Sequence, residues 1–289
     1  MNFEDRLKAD AAWIGATLAQ EIKTLDSSQI RDAMGYALDG GKRLRGFLVL
    51  ESARLYGVRE ARAIWPAMAI EALHAYSLVH DDMPCMDDDD LRRGRPTVHV
   101  KWDDATAVLA GDALQAFAME LVAHPEVGPG AVRADLALSL AQASGARGMV
   151  LGQALDIAAE TAATPLTLDQ ITALQAGKTG ALIEWSACAG ARLAGVDVTP
   201  LRRYAQALGL AFQIADDILD VTGDAAKAGK RLQKDAEAGK ATFVSLLGLD
   251  GARARAEELV ASACDALADF DDGAENLRAA ARFVISRDT

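Results

Sequence analysis

The sequence predicts an all-α fold, and three observations carry that reading. Hydrophobic residues make up 51% of the chain but aromatic ones only 5%, so the core is aliphatic and rich in alanine. Ala, Leu, Glu, Lys and Arg run through it with few Val-Thr-Tyr alternations, which favours helices over strands. Apolar residues also recur at three- and four-residue steps: Phe3, Leu7, Ala11, Ile14, Leu18, Ile22 and Leu25 mark one amphipathic helix. The 289 residues supply ample core, and no linker, low-complexity segment or repeat divides them, so 1–289 is expected to form one domain.

The remaining elements follow in order. A helix over 30–38 stops at Gly40-Gly41, and Lys42, Arg43 and Arg45 begin the next. That basic start suits either a solvated charge run or a phosphate held by free helix N–H groups. A helix over 47–56 ends at Gly57, and Pro66 suits the first turn of a long helix reaching 82. On it, His74, Ser77 and Asp81 share a face. A helix spans 105–123 with Gly111 and Asp112 inside it, 125–130 form a loop, and helix resumes over 132–159, carrying Gln153 and Asp156. Thr167 and Gln170 fit a capping box, which opens a helix that includes Lys178-Thr179 between Gly177 and Gly180. Glycines inside a helix lower its stability, so a backbone bend or close ligand approach is expected there. Thr199-Pro200 starts a helix that ends in Asp216, Asp217 and Asp220. A basic, glycine-punctuated loop with Lys230 and Lys240 follows, and helices over 252–270 and 275–285 close the chain.

Several classes are disfavoured. A net charge of −12 without a basic face argues against a nucleic-acid partner. No stretch between charged residues reaches the ~18 residues of a membrane span, and the N-terminus has no apolar leader. Cys85, Cys188 and Cys264 show neither pairing nor metal-ligand spacing. A cytoplasmic protein with free thiols and no membrane span is the expectation.

The chemistry lies in two acidic clusters. Asp216 and Asp220 are four residues apart, so their carboxylates reach one point a helical turn apart, with Asp217 beside them and Gln213 one turn earlier. Alone, that pattern also describes a solvated helix edge. Asp81 and Asp87 are six apart and would diverge on an unbroken helix, but Pro84 cannot donate to the carbonyl of His80 and forces a bulge or break. A short excursion there restores the one-turn relation. An EF-hand is excluded, since no glycine stands at its sixth position and no glutamate at its twelfth. Carboxylates and water are the ligands Mg²⁺ prefers, with substrate phosphates completing its shell. Arg92 and Arg93 after the first cluster, and Lys230 and Lys240 after the second, suit the outer phosphate oxygens.

Five blocks then carry a family resemblance: 40–45 (GGKRLR), 74–94 (HAYSLVHDDMPCMDDDDLRRG), 152–156 (GQALD), Lys178-Thr179 and 212–220 (FQIADDILD). In this order they resemble the short-chain trans-isoprenyl diphosphate synthases, the bacterial farnesyl diphosphate synthases in particular. The resemblance implies a single polyprenyl synthetase domain, a bundle of about ten helices around a central cavity, and a homodimer. It implies a Mg²⁺-dependent prenyltransferase that joins isopentenyl diphosphate head to tail with dimethylallyl or geranyl diphosphate, giving farnesyl diphosphate. About three Mg²⁺ ions per site are expected, held by Asp81, Asp87 and Asp216 with support from Asp82, Asp88, Asp217 and Asp220. Lys42, Arg45, His74 and Arg93 are the implied isopentenyl diphosphate contacts. Arg92, Lys178, Thr179, Gln213, Lys230 and Lys240 are implied around the allylic diphosphate and its ionising C–O bond. Tyr76 and Ser77 precede Asp81 by five and four residues, so they sit roughly 6–8 Å deeper along the helix and are the expected product-length ruler.

The chain departs from the family pattern at Gly46, where proline is frequent, at Leu151, where a second glycine is common before Gln153, and at Phe243-Val244. None removes a charged ligand, so activity is expected to survive. The alternatives are a geranyl or geranylgeranyl diphosphate synthase, a terpene cyclase and a non-catalytic regulatory subunit. Cyclases usually replace the second Asp motif and regulatory subunits tend to lose one, whereas both stand intact here. A magnesium buffer is disfavoured by the flanking arginines.

Overall fold

The computed structural model describes residues 2–162, 164–222 and 241–286, and these are almost entirely helical. Helix α1 (Phe3–Thr24) buries Leu7, Ile14, Leu18 and Ile22, the stripe its spacing predicts, and Asn2 caps it by accepting from the Asp5 N–H at 2.8 Å. Helix α2 (Gln29–Leu38) is capped by Ser28. Helix α3 (Leu44–Leu55) is buried continuously from Gly46 to Ala53. Helix α4 (Glu60–Asp81) begins well before Pro66, which lies inside it rather than in its first turn. Burial explains the tolerance, because Pro66 and the residues after it are packed into the core and packing offsets one lost hydrogen bond.

After α4 comes the strand structure among the described residues, a two-stranded ribbon of β1 (Leu91–Arg92) and β2 (Arg95–Pro96). Arg93 (φ +54°) and Gly94 (φ +71°) give it the positive-φ pair that a two-residue hairpin turn requires. Short α5 (Val98–Lys101) leads to α6 (Asp104–Ala123). By length and composition α6 is apolar enough to cross a membrane, yet half of it is buried within the protein, and Asp112 and Glu120 interrupt it.

The helix expected over 132–159 is two helices, α7 (Gly130–Ser144) and α8 (Met149–Glu160). Gly148 breaks the run at φ −140° and ψ −117°, and a Cβ there would overlap the Ala143 carbonyl. Helix α9 (Leu168–Gln175) carries the full Thr167–Gln170 capping box and passes into a π-turn, Ala176–Gly180, before α10 (Ala181–Ala194). Helix α11 (Thr199–Thr222) holds the second acidic cluster. The expected loop around Lys230 and Lys240 lies outside the described residues. Helix α12 (Phe243–Asp265), kinked at Gly248, starts nine residues before the expected 252, and α13 (Glu275–Ser286) closes the described chain. Thr242 and Ser245 form a second capping box, a helix start that the departure at Phe243-Val244 obscured.

Two aliphatic cores share α3 and α10. One gathers α4, α6 and α7, the other α11, α12 and α13. Gly190 lets α10 press against the α3 backbone, and its N–H donates to Ser52 Oγ at 3.1 Å. At the edge of α3, Arg54 forms a bidentate pair with Asp10 at 2.6 and 2.7 Å and also reaches Glu51 and Glu60, which ties α1, α3 and α4 together. All three cysteines are free, as expected.

Tyr204 joins α11 to α13. Its ring is fully buried, burial pushes its phenol pKa up, and its O–H donates to the Leu277 carbonyl at 2.7 Å. Tyr204→Phe removes this second hydrogen bond to a helical carbonyl and is expected to lower stability by about 1 kcal/mol. The check is a lower urea midpoint at unchanged slope.

Candidate active site

The first acidic cluster takes its shape from Pro84. Helix α4 stops at Asp81, and the chain coils back so that the Asp87 N–H donates to the Asp81 carbonyl at 2.9 Å. The Asp88 N–H reaches the Met83 carbonyl at 3.2 Å, with Asp88 at φ +50°. The helix therefore ends rather than bulges, and this turn sets Asp81 beside Asp87. Burial pushes the Asp81 carboxyl up to about 6; Lys178 and Arg92 oppose the rise, and Asp87 and Asp82 add to it.

Asp82 has a different surrounding. It is 3% exposed, and both oxygens accept from Arg92 Nε, at 2.7 and 2.9 Å. Arg92 thus faces the acidic turn, and Asp88 is exposed on the turn's outside. Arg93 turns the other way, donates to the Asp39 carbonyl at 3.1 Å, and lies over Gly40 and Gly41. A Cβ at Gly41 would meet its guanidinium, so the glycine doublet provides both the turn, at φ +84° twice, and the room.

Arg45 lies against His74, and the charges of Arg92 and Arg93 also act on it. Arg45 Nη1 lies 3.3 Å from its Nε2. Burial and then the charges of Arg45, Arg93 and Arg92 hold the imidazole well below its usual pKa, so it is neutral near pH 7. The arrangement suits an anion, with three cations and a neutral hydrogen-bonding ring. Lys42 is placed apart from it, with Nζ 5.5 Å from the Phe283 ring centroid.

The sign of the His74 effect on stability is fixed by that depression. Below about pH 6.5 the unfolded chain binds a proton that the folded chain refuses, so stability falls as pH falls through that window. His74→Gln is expected to remove this part of the pH dependence, measured as urea midpoints at about pH 7.5 and 5.5.

A cavity of about 550 Å³ opens beneath Asp81. Its polar lining has Arg45, His74, Ser77, Asp81, Lys178 and Thr179; Met149, Val150, Ile157 and Leu182 make another part of its walls apolar. Tyr76 and His80 line it from α4, and Ser77 Oγ donates to the His74 carbonyl at 2.9 Å. A smaller hollow of about 200 Å³ beside the ribbon is lined by Asp82, Arg92 and Arg93.

Lys178 and Thr179 sit on the π-turn, which widens the helix and swings both side chains toward the cavity. Lys178 Nζ pairs with Asp156 Oδ2 at 2.7 Å. Thr179 Oγ1 donates to Gln213 Oε1 at 3.2 Å, and Gln213 Nε2 donates to Asp217 Oδ1 at 3.0 Å. The Phe243 N–H completes the chain by donating to Asp217 Oδ2 at 2.8 Å. The second acidic cluster is therefore linked directly behind Thr179. Asp217 is buried and engaged there, while Asp216 and Asp220 stand half-buried on α11.

Sequence reasoning assigned no role to Gln153, Asp156 or His80, although each lies in a quoted block. Gln153 Nε2 is buried in the cavity wall with no hydrogen-bond partner, a donor suited to an oxygen-rich ligand. Asp156 was findable, since an acid one turn beyond a cavity-facing helical position is a ready partner for a lysine.

A metal fits this donor set in a particular way. Among the described residues no three His, Cys, Asp or Glu side chains form a metal-holding group. Asp81 and Asp87 supply a carboxylate pair, and α11 supplies Asp216 and Asp220. A hard cation here draws its other ligands from water and from a bound anion, as Mg²⁺ does with phosphates.

Residues 27–275 match the polyprenyl synthetase family. The chain is 43% identical to the farnesyl diphosphate synthase of Escherichia coli (strain K12), with 99% of each chain covered. It is 39% identical to a chloroplastic geranylgeranyl pyrophosphate synthase of Catharanthus roseus, covering 99% of this chain and 82% of that one. The apo crystal structure of an FPP/GFPP synthase from Zymomonas mobilis superposes with a TM-score of 0.90 at 44% identity, with 99% of both chains covered.

Proposed function

The chain belongs to the polyprenyl synthetase family, and from that premise we propose that it is a prenyltransferase making farnesyl diphosphate. It joins isopentenyl diphosphate to dimethylallyl or geranyl diphosphate, 1′ to 4. The observation that carries the reading is the cavity itself: the charges of Asp81 and Lys178 and the hydroxyl of Thr179 beside apolar walls. A site of that kind holds a diphosphate at the top and a hydrocarbon below.

In the reaction the allylic C–O bond breaks, the isopentenyl double bond attacks the allylic carbon, and the released diphosphate takes the proton. Bound Mg²⁺ supplies positive charge against the departing diphosphate. Asp81, Asp87 and Asp216 are the residues that would hold it, supported by Asp220. Lys178, fixed by Asp156, presents an ammonium to the leaving group, and Thr179 and Gln213 orient the oxygens around the ionising bond. Arg92 leaves Asp82 for the allylic diphosphate or shares it. Arg45, Arg93 and neutral His74 receive isopentenyl diphosphate, with Lys42 at the rim. The apolar walls exclude water from the carbocation.

Further parts of the proposal rest on packing and surface. Cores that share α3 and α10 support a single domain over 1–289. Leu109 on α6 and Leu138 on α7 are 53% and 61% exposed, apolar surface that a second copy of the chain would cover in a homodimer. The site is read as working in the cytoplasm.

The test incubates purified protein with isopentenyl diphosphate and either allylic substrate, with and without Mg²⁺, and sizes the products. C15 product formed only with Mg²⁺ is expected. A cyclic hydrocarbon from one allylic diphosphate, or binding without turnover, would refute the reading. Tyr76, buried and lining the cavity, is the expected stop for the growing chain. Tyr76→Ala should extend the main product beyond C15, measured by chromatography of the dephosphorylated alcohols.

A further inference from the structure

A ring stops a growing hydrocarbon only when it cannot swing aside. Among the described residues no hydrogen bond holds the Tyr76 phenol, so its position depends on packing. Besides the aliphatic core around it, its ring contact comes from His80, one turn further along α4 and on the same face. The two rings meet edge to face, with centroids 5.2 Å apart and planes at 82°.

His80 is itself fixed from outside its own helix. Its Nε2 lies 3.1 Å from the Val108 carbonyl of α6. A carbonyl only accepts, so Nε2 carries the proton and donates. One turn on, Gly111 leaves the seat for the imidazole, and a Cβ there would overlap His80 Nε2. His80 and Val108 both line the cavity, whereas Gly111 does not. The imidazole therefore bridges α4 and α6 beside Tyr76, one turn nearer the cavity mouth.

We propose that His80 is a positioning residue for product length: its ring, seated over Gly111 and tied to the Val108 carbonyl, braces Tyr76 so that elongation stops. This rests on the prenyltransferase reading above. It assigns to His80 no part in ionisation or metal binding, so its effect is on where the chain stops and not on whether it grows.

The experiment compares wild type, His80→Ala, His80→Phe and Tyr76→Ala with dimethylallyl and isopentenyl diphosphates and Mg²⁺, reading the C20-to-C15 ratio beside thermal melts. His80→Ala is expected to raise that ratio about tenfold, the order of one lost aromatic edge contact, with first-step turnover retained. His80→Phe keeps a ring in the same seat and is expected to stay at C15. Adding His80→Ala to Tyr76→Ala should add little further length, because the brace has nothing left to hold. A His80→Ala enzyme that stops at C15 while Tyr76→Ala runs longer would overturn the inference and leave the proposed function standing. Equal lengthening by His80→Phe and His80→Ala would also overturn it, since a ring in the seat would then be no brace. Wild type that makes no prenyl chain at all would remove the proposed function, and the inference with it.

Discussion

Asp81→Ala is expected to lower turnover by about 10³-fold, the scale of losing one preorganised electrostatic contact to the departing charge. The carboxylate stands at the cavity mouth beside Asp87, with the Lys178 charge acting on it from across the cavity. Burial and like charge hold its pKa up near 6, so the ionised form is unfavourable in the empty protein. Removing it should therefore leave the unfolding midpoint unchanged or higher while activity collapses, the opposite movements expected of a functional rather than structural acid. Single-turnover rates and circular dichroism on the same preparation separate the two. Asp216→Ala should behave alike from the other side, and retained rates in both variants would end the metal-bridge reading.

Gly152→Ala, a change of one methyl group with no charge, is expected to cost about 10²-fold in kcat. A Cβ at Gly152 would overlap the backbone N of Lys178, and Gly177 already rests against Gly148 and Gly152. The π-turn sits in that glycine cradle, and Gly209 of α11 approaches Gly180 from the other side. The neighbour that must yield is backbone, so Lys178 and Thr179 have to shift together. Overpacking of this kind destabilises by about 1–3 kcal/mol, while a misplacement on the order of 1 Å in the catalytic groups accounts for the larger kinetic effect. Steady-state kinetics beside urea melts give the split. Wild-type kcat in Gly152→Ala would show that the turn has slack.

Much of the local geometry of the candidate site was readable because local rules carry it. Pro84 announced the reversal that sets Asp87 against Asp81, and four-residue spacing put Asp216 and Asp220 on one side of α11. The Thr167–Gln170 capping box appears as its pattern requires, and the glycines flanking Lys178-Thr179 mark the π-turn. The misreadings share one cause. Apolar spacing continues across Gly145 and Gly148, so period alone could not reveal that α7 and α8 part there. Pro66 looks like a helix start, but α4 carries it inside because the core around it is packed.

Partnerships were the part hidden in the linear order. Arg92 was expected to face a substrate diphosphate, and its guanidinium rests on Asp82; Asp217 was expected to support a metal, and it holds Gln213 and the start of α12. Lys178 meets Asp156 from 22 residues away, and His80 meets Val108 from 28. By itself the sequence determined most of the helices and the spacing within the two acidic clusters, because hydrophobic period, caps and proline act within a turn or two of the chain. Only the tertiary structure decided which carboxylate accepts from which cation and what packs beside Tyr76. Those choices are made by side chains that approach across helices, at distances no spacing along one chain encodes.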